Sequence, residues 1–132
     1  MSEHYHAILW IDHREAKCFR FGTADVKRVV VQAQGFGRHL HHKANTTGSG
    51  HKGVDRDFFK RIVDSLAASG AILIVGPGHA KLEFENFIRE EYPDLAKRIS
   101  GVEALDHPTD GQLVALARKF FKADDRMHSQ VP

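Results

Sequence analysis

Ala71-Ile72-Leu73-Ile74-Val75-Gly76-Pro77-Gly78-His79-Ala80-Lys81 runs from an unbroken apolar stretch into a turn of glycine, proline and glycine. A short continuous apolar run rich in branched side chains predicts a strand buried on both faces, as in a parallel sheet. The turn ends the strand. The spacing of Phe84, Phe87 and Ile88 after it predicts a helix over residues 80–91 with one inward face. A buried strand followed by a helix asks for a further parallel strand, and that places the chain in the α/β class.

Outward from this centre the pattern extends in both directions. Toward the N-terminus, residues 7–11 (Ala-Ile-Leu-Trp-Ile) form a second apolar run. The polar turn Asp12-His13-Arg14-Glu15 follows, and residues 16–21 alternate apolar and basic, which predicts a hairpin. Gly22 to Asp25 makes another turn, and the valine-rich stretch 26–33 predicts a third strand. Phe58, Ile62 and Leu66, with Phe59 and Val63 beside them, predict a helix over 55–69, with Asp55 or Asp57 near its start and Gly70 at its end. Toward the C-terminus, Pro93 opens a short turn through Ile99. Residues 102–105 predict a brief strand, and Thr109 with Gln112 forms a capping-box pattern. A last helix then carries Leu113, Leu116, Ala117, Phe120 and Phe121 on one face. Residues 124–132 read as a frayed polar tail.

The predicted element order is β-β-β-loop-α-β-α-β-α. Right-handed crossovers would put the fourth strand beside the first. The expectation is a mixed five-stranded sheet of order 3-2-1-4-5, ribonuclease-H-like, with helices on both faces. A length of 132 residues fits one domain spanning residues 1–132.

Residues 35–53 fit neither period. The stretch holds five glycines, and no carboxylate lies between residues 34 and 54. Loops of this length are uncommon in compact domains and are usually functional or disordered. Arg38, Lys43 and Lys52 supply positive charge, and His39, His41, His42 and His51 add to it as pH falls. Gly48, Gly50 and Gly53 let backbone N–H groups approach a phosphate closely. Contact with an RNA backbone is one reading of this chemistry; a solvated loop without a partner is the other, and the residues alone leave both open.

Composition narrows the remaining classes. The net charge is +2 with histidines neutral, too small to argue for nucleic acid by itself. The single cysteine, Cys18, cannot close an internal disulfide, which agrees with a reducing compartment. No basic patch precedes an apolar stretch at the N-terminus, and no apolar run approaches the ~20 residues needed to span a bilayer. The expected location is cytoplasmic, with no membrane partner.

Other candidate chemistry is thin. The histidine-rich stretch has no accompanying CxxC or HExxH, so no metal and no cofactor are expected. Asp12, at the end of the first strand, would matter to a two-metal nuclease, but the strand ending at Gly76 brings no second acid. A turn role suits Asp12 better. Gly76-Pro77-Gly78-His79 is neither GxGxxG nor a P-loop and reads as a tight turn. Ser49, Ser65, Ser69 and Cys18 lack the context of an activated nucleophile. The valine-rich edge 26–33 can pair with a second copy, which makes a homodimer an alternative mode of action.

Taken together, the three strands, the glycine-rich basic loop, the helix and the Ile72-to-Lys81 motif resemble the middle domain of archaeal and eukaryotic class 1 release factors and of Pelota. The nearest likeness is to small bacterial proteins of that superfamily, often called translational machinery proteins. It covers about residues 5–122, with Gly76-Pro77-Gly78-x-x-Lys81 as its sharpest element. The resemblance implies ribosome association, with rRNA or tRNA as partner. In release factors the equivalent loop carries Gly-Gly-Gln, which promotes peptidyl-tRNA hydrolysis. Here it reads Thr47-Gly48-Ser49-Gly50-His51-Lys52-Gly53, without glutamine. The tripeptide does not carry over, so a binding protein is expected rather than an enzyme. A peptidyl-tRNA or other ester hydrolase with His51 assisting a water is the alternative.

Overall fold

The computed structural model describes residues 5–22, 25–33 and 49–128. Its strands are β1 (His6–Ile11), β2 (Glu15–Phe21), β3 (Val26–Gln32), β4 (Ala71–Gly76) and β5 (Ile99–Ala104). Its helices are α1 (Ser49–Leu66), α2 (Ala80–Glu91), the single turn α3 (Pro93–Ala96) and α4 (Asp110–His128). The strands form one sheet in the order β3-β2-β1-β4-β5. The pairs β1–β2 and β2–β3 are antiparallel, whereas β1–β4 and β4–β5 are parallel. This is the mixed, ribonuclease-H-like arrangement the sequence predicts.

Burial explains why the two apolar runs sit at the centre. Strand side chains alternate between faces. Ala7, Leu9 and Ile11 of β1 join Ile72 and Ile74 of β4 under α1, α2 and α3. Ile8 and Trp10 join Leu73 and Val75 under α4, through Leu113, Ala117 and Phe121. Both faces are covered, so both central strands must be apolar throughout. The edge strands need not be, and β3 exposes Lys27 and Arg28. The capping box at α4 is formed: Thr109 N–H donates to the Gln112 side chain at 2.9 Å, and Gln112 N–H donates to Thr109 Oγ1 at 3.1 Å.

Three boundaries differ from the sequence expectation. Helix α1 starts at Ser49 rather than Asp55, so residues 49–53 belong to a helix and not to the loop. Gly50 and Gly53 each disfavour a helix interior by ~1 kcal/mol, which hides this extension. Extending an existing helix costs little, because each added residue gains one backbone hydrogen bond. Asp55 and Asp57 accordingly lie beyond the first turn, which carries no acid. Strand β5 begins at Ile99, because α3 stops at Ala96 and β5 pairs with β4 from Ile72 to Gly76. Helix α4 continues to His128, so residues 124–128 are helical rather than a frayed tail.

Candidate functional site

Strands β1, β4 and β5 are parallel, so their carboxyl ends lie together. In open α/β sheets this end is where ligands commonly bind. Here it gathers the β1–β2 turn, the β4–α2 turn, the β5–α4 connection and the end of β3. The basic, glycine-rich segment 34–48 departs from that last point, just after Ala33, whose N–H donates to the Arg14 carbonyl at 2.9 Å.

The first turn is held by Asp12. Its Oδ1 accepts the backbone N–H groups of Arg14 at 2.8 Å and Glu15 at 2.9 Å. The carboxylate is thus engaged in local backbone, as the turn reading requires. His13 Nε2 lies 3.2 Å from Glu83 Oε1, which joins this turn to the first turn of α2. Both side chains are about half exposed, so the pair contributes little stability.

The second turn is built by its glycines. A Cβ at Gly76 would lie 2.1 Å from the Ile11 carbonyl oxygen, so only glycine lets β4 pass that close to β1. Gly78 sits at φ 64°, in the left-handed region. Lys81 donates to the Gly78 carbonyl and is buried. Its ammonium closes the turn rather than facing a ligand.

The third element is tied to the sheet by an indole. Trp10 Nε1 donates to the Asp106 carbonyl at 2.7 Å, and the His107 ring packs 5.2 Å from the Trp10 ring. Asp110, at the start of α4, takes Arg28 at 2.9 Å and Lys17 at 3.6 Å, which pins the helix to β2 and β3.

Of the sequence-predicted site residues, Arg38, His39, His41, His42, Lys43 and Gly48 lie outside the described residues. Gly50, His51, Lys52 and Gly53 fall in the first two turns of α1. Sequence reasoning passed over His13 and His107, which the fold brings to the same sheet end as His79. The signal available was their placement in predicted turns after apolar runs. No group of three or more potential metal ligands occurs among the described residues. Cys18 is buried in β2, and burial pushes its thiol up to about 11, so it stays protonated and unreactive at neutral pH. Among the described residues no helix is long and apolar enough to cross a membrane.

The β3 edge has a defined geometry. The Ala33-to-Arg14 bond fixes which residues face β2. Residues 26, 28, 30 and 32 therefore turn their backbone groups outward. Arg61 of α1 reaches over and donates to the Gln32 carbonyl at 2.7 Å, which closes one end of the edge.

A mixed sheet of this order with helices on both faces is an α/β fold that solved translation termination-like factors share. The solved structures it resembles include Pelota from Archaeoglobus fulgidus, with a TM-score of 0.60 at 17% identity, covering 89% of this chain and 32% of that one. An archaeal translation termination factor matches with a TM-score of 0.58 at 13% identity, covering 94% of this chain and 39% of the other. In sequence, a Pelota homologue of Methanococcus maripaludis is 28% identical over 101 residues, which is 76% of this chain. This chain spans only 27% of that relative. No family model matches the chain.

Proposed function

We propose that this chain is a ribosome- or RNA-associated binding protein of translation, which contacts rRNA or tRNA through the basic, glycine-rich segment and acts without Gly-Gly-Gln hydrolysis. The observation that carries this reading is the fold likeness to Pelota and to an archaeal termination factor, combined with the uncompensated charge of residues 35–53. Arg38, Lys43 and Lys52 hold phosphates, and His39, His41 and His42 strengthen the contact as they protonate.

The test is co-sedimentation of the purified chain with ribosomes across a salt series, beside an Arg38→Ala/Lys43→Ala/Lys52→Ala variant. Binding should weaken as salt rises, and the variant should bind more weakly with a salt slope lower by about two to three. Salt-independent binding, or full binding by the variant, would remove the segment from the interface.

The outward-facing groups of Val26, Arg28 and Val30 support one further element, pairing of β3 with a second copy. Lys27 and Arg28 would repel across such an interface, so a dimer should strengthen with salt. Light scattering at high protein and salt concentration checks this: a monomer under those conditions excludes it.

A further inference from the structure

The sheet end opposite Ala33 carries a basic surface. It surrounds the tip of the β2–β3 hairpin. Phe21 and Val26 close the hairpin on the α4 side, and Arg118 of α4 lies over the Phe21 ring with Cζ 5.4 Å from the centroid. Lys122 is one turn further along α4 and Lys119 is beside it, both exposed. On the other face Arg20 and exposed Lys27 are directly opposite each other in register.

These cations stand without carboxylate partners. Lys17, Arg28, Arg56, Arg61, Arg89 and Lys97 each have an acid within reach. Among the described residues Arg20, Lys27, Arg118, Lys119 and Lys122 have none. Arg20 adds an independent sign: its Nε is buried and donates to nothing. A buried guanidinium N–H without an acceptor is costly and rare. The basic run stops in sequence at Asp124 and Asp125.

Most of the glutamates are elsewhere: Glu83, Glu85, Glu90 and Glu91 belong to α2, and Glu103 to β5, the edge furthest from β3. Asp25 stands in the hairpin turn itself, but among the described side chains at this end the cations outnumber it, which steers an approaching polyanion to the hairpin side.

We propose that the hairpin tip and the exposed face of α4 form a second phosphate-contacting surface for RNA, with Lys27, Arg118, Lys119 and Lys122 taking the backbone. This rests on the RNA-binding reading above and extends it to a place the segment 34–48 does not supply. The departure of that segment and the hairpin tip are separated by the length of β3, roughly 20 Å at ~3.3 Å per residue. One folded RNA can engage both.

Fluorescence anisotropy with a short labelled RNA, read across a KCl series, tests the surface. The Lys27→Glu/Arg118→Glu/Lys122→Glu variant should bind about tenfold or more weakly, with a salt slope lower by about two to three. A milder Lys119→Ala/Lys122→Ala variant alters only exposed helical positions. It should lose a smaller share of both quantities, with an unchanged thermal melt. If both variants bind as the parent chain does while the segment variant loses affinity, the hairpin surface is refuted and the RNA reading stands. If the parent chain itself fails to bind RNA, both fall. Binding of an acidic protein instead of RNA by the parent chain would overturn the assignment of this surface to nucleic acid.

Discussion

A Gly76→Ala chain is expected to melt about 10 °C or more below the parent. The added Cβ would stand 2.1 Å from the carbonyl oxygen of Ile11, in the backbone of the central strand. Neither strand can step aside cheaply. Trp10 pairs with Val75 in the same ladder, and the Gly76 carbonyl accepts the Leu105 N–H at 3.1 Å. Overpacking a well-filled core costs ~1–3 kcal/mol, and an unfavourable backbone region adds ~1–3 kcal/mol. A combined loss of about 3 kcal/mol takes a large part of a total of ~5–15 kcal/mol. At ~3–5 °C per kcal/mol for a chain of this size, the shift follows. Gly78→Ala separates the two causes. A Cβ there meets nothing within 4 Å, so only the left-handed φ of 64° is penalised. Its loss should be ~1–2 kcal/mol. Calorimetry or circular dichroism melts of both variants decide the matter. Equal melting temperatures for Gly76→Ala and the parent would mean that β4 does not pass Ile11 as closely as described.

The same pair of residues shows why the central fold was legible in sequence. A strand buried on both faces has no choice but an apolar run, and a strand that must pass its neighbour's backbone needs glycine. Those constraints are local and severe, so Ile72 to Gly78 declares them. The hairpin β1–β2 was legible for a related reason: Asp12 meets its own turn's N–H groups, a contact between near neighbours. Boundaries set by marginal energies were not legible. The extension of α1 through Gly50 and Gly53 depends on propagation from the packed turns at Phe58 and Ile62, which no residue between 49 and 54 announces. The early start of β5 depends on β4 offering a pairing edge, and Ile99 to Gly101 alone do not read as a strand. The hairpin surface was hidden more thoroughly. Lys27 is far in sequence from Arg118 and Lys122, and only the packing of α4 over Phe21 brings the latter two to the hairpin end. The bulk charge of +2 conceals it, because a sum over the whole chain carries no position.

Phe84→Ala should cost ~3–5 kcal/mol, the usual loss for deleting a fully buried aromatic ring. Phe84 is 0% exposed on α2 and meets Phe59 of α1 edge-on, with ring centroids 5.2 Å apart. Phe59 also meets Phe87 at 5.3 Å, and Phe87 meets Tyr92 at 5.8 Å, so the ring stands in a chain of aromatics that joins α1, α2 and the start of α3. Arg56 caps this chain from outside. It lies over Phe87 at 5.4 Å and pairs with Glu91 at 3.0 Å, both groups being exposed. That ion pair holds the Glu91 carboxyl below the usual range. It stays formed at neutral pH and weakens as pH falls through the lowered pKa, so it cannot replace the buried ring in acid. A cavity at Phe84 leaves α1 and α2 in contact through fewer rings, and the loss should appear in urea as a lower midpoint with little change in slope. Leu82→Ala, two positions earlier at 46% exposure, should change stability by less than ~0.5 kcal/mol. Near-equal midpoints for Phe84→Ala and Leu82→Ala would show that α2 is not packed on α1 through this ring. A large loss for Phe84→Ala alone would tie the two helices together.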